Sequence, residues 1–296
     1  MSGASGLLGR CLTDRLEAAG HVVRALVRGA GVGSPNAIPW DPERGLLEPA
    51  HLGELDAVIH LAGAPIAQRW TAERKRRIRE SRVRGTETIA RAIAATGKPG
   101  LLLLSASAIG IYGDRADEVL DEGSGPGRDF LAGVALEWER ATDPARDAGA
   151  RVVQLRTGVV LAADGGALAA MLPAFRLGVG GPLGSGRQWM SWIAREDFAR
   201  VVLFLLGAPE ASGPVNVVAP HPVRNAEFAR ALGRALRRPA LVPVPAAALT
   251  LLYGEMARGT ILASQRVLPR RLGELGFQFR FPLLSDALAF ELGRAG

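Results

Sequence analysis

The sequence predicts an α/β protein: a doubly wound parallel sheet followed by a smaller C-terminal α/β lobe. Three observations carry that prediction. Short apolar runs alternate with longer amphipathic stretches through the first 160 residues, a glycine triplet opens the first of those stretches, and beyond residue 160 the texture turns glycine- and proline-rich. The runs at 22–27, 57–62, 101–105 and 152–155 are nearly continuous in apolar character, as strands buried on both faces of a parallel sheet are.

Between the runs lie helical patterns. Leu8, Leu12, Leu16 and Ala19 recur at helical spacing, and Gly20 stands where a helix stops. The stretches 70–95 and 128–147 are long enough to be crossover helices, and strand–helix alternation of this kind belongs to a doubly wound sheet. Further on, 178–186 is a glycine-rich loop and 239–245 carries three prolines. Helices are expected at 195–207 and at 225–236, the second capped by Asn225, with a short strand at 215–218 between them. The resulting division gives a doubly wound domain at 1–160, to which 191–218 returns, and a smaller lobe built from 161–190 and 219–296.

Composition excludes several classes. Of 296 residues 48% are apolar, enough for a sizeable core and against disorder. No apolar stretch approaches the roughly 18–20 residues of a membrane span, and no signal peptide is visible, so a cytoplasmic protein without a membrane partner is expected. The single cysteine, Cys11, allows no intrachain disulfide, and the four histidines show no metal-ligand spacing, so no metal is expected. The net charge of +7 is concentrated in the arginine-rich stretch 74–84. There Arg77, Glu80 and Arg84 fall at i, i+3 and i+7, so acids share a face with bases, the pattern of a solvated helix and not of a nucleic-acid surface.

The motif Gly3-Ala4-Ser5-Gly6-Leu7-Leu8-Gly9 carries chemistry. Gly3 and Gly6 permit a tight turn and close approach of a pyrophosphate, while Gly9 lets the helix pack on the sheet. The helix N-terminus then offers N–H groups and its positive dipole end to the phosphates. The strand that follows ends in Arg28, where an acidic residue would bind the ribose hydroxyls of NAD. An arginine fork suits a 2′-phosphate, so NADP(H) is the expected cofactor, with a surface arginine ending the strand as the plainer alternative. After Leu61, the small residues Ala62 and Gly63 at the end of the second run let the adenosine half lie close, and His60 reads as a packed strand histidine. The chain opens inside the turn, so the middle strand of the sheet is expected to be missing. Unpaired backbone on two buried neighbours costs roughly 1–3 kcal/mol per group, and the natural protein is expected to start five or six apolar residues upstream.

With these residues in view, a family resemblance is specific. The glycine motif, 56–63 and Ser105-Ala106-Ser107-Ala108-Ile109-Gly110-Ile111-Tyr112-Gly113 resemble the extended short-chain dehydrogenase/epimerase superfamily. Ser81-Arg82, Arg156-Thr157-Gly158, Ser191-Trp192-Ile193, Gly254-Glu255-Met256-Ala257 and Pro269-Arg270-Arg271-Leu272 narrow it to the "epimerase family" branch of 39U type, over essentially the whole chain. The resemblance implies a Rossmann domain, an NADP(H) site, a branch-specific C-terminal region and a candidate homodimer interface on the long crossover helices. It places Ser105, Arg82 and Arg156 near the cofactor with Arg28, Leu61 and Ala62. For the two arginines a structural ion pair is the alternative.

The superfamily's acid/base pair is a tyrosine with a lysine four residues on. The only tyrosines are Tyr112 and Tyr253, the only lysines Lys75 and Lys98, and no two have that spacing. The corresponding positions are Phe130 and Val134, which transfer no proton. Ser107 matches the superfamily's catalytic serine, and Tyr112 is the nearest remaining phenol, so these two are the candidate catalytic residues. Asp114, Asp117 and Glu118 are expected to face solvent, Trp138 to pack its helix and Glu139 to form a surface pair. Arg176, Gln188, Trp189 and Trp192 are candidates for a substrate pocket, and Ala194 stands where the branch has a histidine. Two readings follow: an NADP(H)-dependent oxidoreductase or epimerase-like enzyme acting on a small molecule, and a catalytically silent NADP(H)-binding sensor or scaffold.

Overall fold

In a computed structural model, which describes residues 1–29 and 36–293, the glycine motif runs directly into the first helix. Gly6 is the N-cap of α1 (Leu7–Ala18), Leu12 and Leu16 bury its inner face, and Gly20 ends it at φ +86°. There follow β1 (Ala25–Val27), β2 (Ala37–Pro39), β3 (Ala57–His60) and α2 (Ala72–Ala95), whose first turn is capped by the Thr71 hydroxyl accepting from the Arg74 N–H. Next come β4 (Leu102–Ala108), β5 (Val119–Leu120), α3 (Phe130–Arg140), α4 (Asp143–Asp147), β6 (Arg151–Thr157) and β7 (Val159–Leu161). The rest comprises α5 (Gly166–Arg176), β8 (Trp189–Met190), β9 (Trp192–Ala194), α6 (Arg195–Leu206), β10 (Gly213–Val217) and β11 (Val223–Arg224). It ends with α7 (Asn225–Leu236), α8 (Ala246–Tyr253), a single π-helical turn at Ala257–Ile261, β12 (Arg266–Val267), α9 (Arg270–Glu274) and α10 (Leu284–Glu291).

The central sheet is parallel, in the order β10-β6-β4-β3. Strands this apolar are stable only when both faces are covered. On one side lie α1 and α6, with Leu12, Leu16, Phe198 and Val202 against Leu104, Val153 and Leu155; on the other, Ile89 and Ile93 of α2 meet Val58, Leu103 and Val152. Each such side chain contributes roughly 1.5–3 kcal/mol on full burial. A third apolar cluster joins α5, α7 and α10 around Trp192 and Phe228. The C-terminal segment is pinned by Asp197, whose buried carboxylate accepts from the N–H groups of Arg280 (2.9 Å) and Phe281 (2.8 Å).

Several expectations need correction. The slot of the missing strand is not empty: Met1 and Ser2 occupy it. Ser2 bridges His60 in parallel, its N–H donates to the Ile59 carbonyl (2.9 Å), and the Leu26 N–H donates to the Met1 carbonyl (2.8 Å). Because that neighbour is so short, the expected strand 22–27 is regular only from Ala25, and Val22 is exposed. The stretch 128–147 breaks into α3 and α4 because Pro144, within the first turn of α4, supplies no N–H. Arg224, not Asn225, is the N-cap of α7; the Asn225 side chain points into the protein, accepting from the Leu183 N–H at 2.7 Å. β2 was not foreseen, its Pro39 being a poor strand residue except at an edge.

Candidate cofactor and active site

The N-terminal turn is closed by backbone alone. Gly3 has φ +70°, and a Cβ there would stand 3.0 Å from the Ala62 nitrogen; a Cβ at Gly9 would stand 2.0 Å from the Gly3 carbonyl oxygen. The Gly6 N–H donates to that same oxygen at 3.0 Å. These contacts require glycine and hold the N-terminus of α1, with its first-turn N–H groups and positive dipole end, at the turn.

Beside the turn opens a cleft of about 890 Å³, within the size range of ligand sites. Gly3, Ser5, Arg28, Ala62 and Gly63 line it together. Arg28, exposed at the end of β1, makes no ion pair among the described residues. The opposite wall was missed: Trp40 and the α2 residues Arg76, Arg77, Glu80 and Arg84 also line the cleft. The signal is present in the sequence, since Arg77, Glu80 and Arg84 form one helical stripe, but its mixed charge reads as a solvated face.

The loop at 63–65 is shaped from behind by the Ser81-Arg82 motif. Ser81 Oγ accepts from the Ala64 N–H (3.0 Å), and the Arg82 guanidinium donates to the Ala64 carbonyl (3.0 Å). A Cβ at Gly63 would touch that guanidinium at 3.4 Å. Arg82 stacks over Trp138, has no carboxylate partner among the described residues, and burial lowers its pKa to about 10. Ser2 anchors the adjoining backbone: its hydroxyl accepts from Leu61 and Ala62 N–H groups and meets His60 Nδ1 at 2.6 Å. His60 is packed, as expected, and burial, with the neighbouring chain terminus and Arg82, lowers its pKa to about 3.

At the carboxyl end of β4, Ser107 meets a group that the sequence reading placed on the surface. Ser107 and Arg156 are register partners on neighbouring strands, and both reach Glu139 of α3. Ser107 Oγ donates to Glu139 Oε1 at 2.7 Å; Arg156 clasps the same carboxylate through Nε and Nη2, each at 2.8 Å. The pair is nearly buried, its side chains 10% and 12% exposed, so Glu139 is no surface partner. Although burial opposes the charge, Glu139 and the Tyr112 contact hold the Arg156 pKa above its usual value.

Not every predicted site residue joins this arrangement. Tyr112 is fully enclosed, donating to Asn216 (2.7 Å) and accepting from Arg156 (3.0 Å); burial raises its pKa, so it is a packed anchor and not an exchangeable acid. Arg156 is committed to Glu139 and does not line the cleft. Leu8 and Leu61 pack on the sheet core, Ser105 is buried within β4, and Leu7 packs against Gly165. The four proposed substrate residues do not converge. Trp192 is a core residue donating to the His221 carbonyl, and Gln188 is buried, donating to Leu183 and Ile261. Trp189 lies between Arg224 and Arg266 with its N–H on Asp117, and Arg176 sits elsewhere beside Leu236 and Arg238. Asp114 faces solvent, as expected, and also accepts from the Ala116 and Ser264 N–H groups.

Phe130, expected where the superfamily has its tyrosine, lies edge-on to Trp70 at 5.1 Å and 4.9 Å beneath the Lys75 ammonium, which pairs with Glu255. Val134 is buried one turn later.

A glycine turn at a helix start, a parallel doubly wound sheet and a cleft at its carboxyl edge define a Rossmann-type dinucleotide-binding protein. Comparison with known proteins agrees. Residues 1–219 match the NAD dependent epimerase/dehydratase family, and 244–291 match a domain of unknown function, DUF1731. The chain belongs to the NAD dependent epimerase/dehydratase family. It is 44% identical over 297 residues to the epimerase family protein Mb2239 of Mycobacterium bovis, covering all of this chain and 98% of that one. The crystal structure of the human epimerase family protein SDR39U1 (isoform 2) with NADPH superposes with a TM-score of 0.87 at 33% identity, covering 99% and 98% of the two chains. A nucleoside-diphosphate sugar epimerase from Corynebacterium glutamicum superposes at 0.79 with 39% identity, over 99% of this chain and 57% of that longer one.

Proposed function

We propose that the protein is an NADP(H)-binding oxidoreductase or epimerase-like enzyme acting on a small molecule. The observation that carries this reading is the cleft running from the Gly3 turn to Arg28. A dinucleotide fits it: the pyrophosphate over the turn, where side chains at Gly3 or Gly9 would collide with backbone, and the adenosine against Ala62 and Gly63. A 2′-phosphate would meet Arg28, which no carboxylate engages among the described residues. The NADPH in the human relative's structure supports the choice of cofactor. The lobe built from 161–190 and 219–296 would supply the substrate side.

When bound, the nicotinamide gives or takes a hydride. Ser107 would hold the substrate oxygen, and the geometry sets its polarity. Its proton is directed at Glu139, so its lone pairs are what it offers, and they suit a substrate hydroxyl. Arg156 fixes the carboxylate, and with it the Ser107 rotamer. Phe130 and Val134 hold no exchangeable proton, which leaves Ser107 and solvent at the reacting oxygen.

The same pair favours a second reading, a silent NADP(H)-binding sensor or scaffold. Following the absorbance of bound NADPH against a panel of carbonyl compounds and sugar nucleotides separates the two. The enzyme reading expects oxidation by at least one compound, abolished in Ser107→Ala with cofactor affinity intact. Saturated cofactor with no turnover across the panel would support the sensor.

A further inference from the structure

The C-terminal lobe leaves an apolar strip uncovered. Arg237 ends α7 in the left-handed conformation (φ +56°) and turns the chain so that Pro239 packs against Gly178. The two segments then run side by side: the Val242 N–H donates to the Gly180 carbonyl (3.3 Å) and the Val244 N–H to the Pro182 carbonyl (2.9 Å). This pairing presents Leu177, Val179, Leu241 and Val242 outward, 79%, 54%, 80% and 50% exposed. The chain continues into α8, of whose eight residues only Leu249 is buried; Leu251 is 76% and Leu252 63% exposed. Isolated exposed leucines need no explanation, but a strip gathered on adjoining segments marks an interaction surface.

Its charge identifies the partner. Arg176 and Arg238 share a depression of about 210 Å³ at the edge of the strip, Arg237 adjoins them, and Arg258 lies just beyond α8. None of these four has a carboxylate partner among the described residues, whereas Arg79, Arg84 and Arg91 of α2 each pair with a glutamate. A second copy meeting this face through a two-fold axis would set arginine against arginine. Apolar side chains rimmed by uncompensated arginines instead match an anionic bilayer surface, where phosphates meet the guanidiniums and leucines enter the headgroup boundary.

We propose that this face docks the protein peripherally on anionic lipid membranes. Without a candidate span the sequence predicts no membrane partner, and no helix among the described residues is long and apolar enough to cross a bilayer. A surface contact needs none.

The test is co-sedimentation of the full chain with vesicles of phosphatidylcholine alone and of phosphatidylcholine mixed with phosphatidylglycerol. Binding at least tenfold tighter to the anionic vesicles, weakened by salt, is expected. At about fivefold per arginine, Arg176→Gln with Arg238→Gln would weaken it about 25-fold. Leu241→Ser with Leu251→Ser would weaken it at least tenfold, with melting temperature and NADPH affinity unchanged in both pairs. Equal binding to neutral vesicles, no binding to either, or retention of full affinity in both pairs overturns the proposal. So does a dimer in solution that the leucine substitutions dissolve.

Discussion

Alanine at Gly9 and alanine at Gly133 are the same chemical change, and the structure assigns them opposite signs. At Gly9 the new carbon would stand 2.0 Å from the Gly3 oxygen and 2.8 Å from the Ala4 Cα. Ordinary contact distances begin near 3.5 Å, so the helix and the turn must part by more than an ångström. Overpacking of this kind costs about 1–3 kcal/mol, and the upper end applies because every atom in the way is backbone. At Gly133, inside α3, nothing lies within 4 Å, and alanine recovers the helical preference that glycine lacks, about 0.5–1 kcal/mol. At roughly 2–4 °C per kcal/mol, thermal melting should fall by about 6–12 °C in Gly9→Ala and rise by about 1–4 °C in Gly133→Ala. NADPH affinity should drop at least tenfold in the first variant and stay constant in the second. Equal melting temperatures, or a Gly9→Ala protein that binds NADPH normally, would refute the reasoning.

Other outcomes follow from buried charge. His60 titrates near pH 3 when folded and near 6.5 when unfolded, so its contribution is complete above 6.5 and lost as pH falls toward 3. The loss amounts to about 5 kcal/mol at most; urea unfolding of His60→Leu between these limits should show a flatter pH dependence than the parent. Glu139→Gln strands the Arg156 guanidinium in the interior and should cost about 3–5 kcal/mol in urea unfolding, while Glu139→Gln with Arg156→Met should recover most of it. A double variant as unstable as the single one would argue against the pair as described.

The parallel strands were legible because burial on both faces leaves an unbroken apolar run, and the glycine turn because backbone contact tolerates no other residue. The break at Pro144 was not read, because the apolar pattern of 128–147 runs on across a residue that breaks it only by lacking a donor. Nor was Glu139: its partner Arg156 stands 17 residues on, in strand β6, and becomes a neighbour only through the β4–β6 register with Ser107. Spacing alone put Arg77, Glu80 and Arg84 on one face; what that face meets depends on where Trp40 and β1 lie. Trp192 looked like a ligand contact beside a glycine loop, yet α7 and α5 close over it. Leu241 and Leu251 show the converse, apolar residues that the fold leaves outside.

The most direct test of the account is calorimetry of the holoprotein's two candidate dinucleotides on the parent chain and on Arg28→Asp. NADPH should bind the parent at least tenfold tighter than NADH, and Arg28→Asp should reverse or erase that preference while leaving NADH affinity nearly unchanged. No heat with either dinucleotide, or the same preference in both proteins, would contradict it.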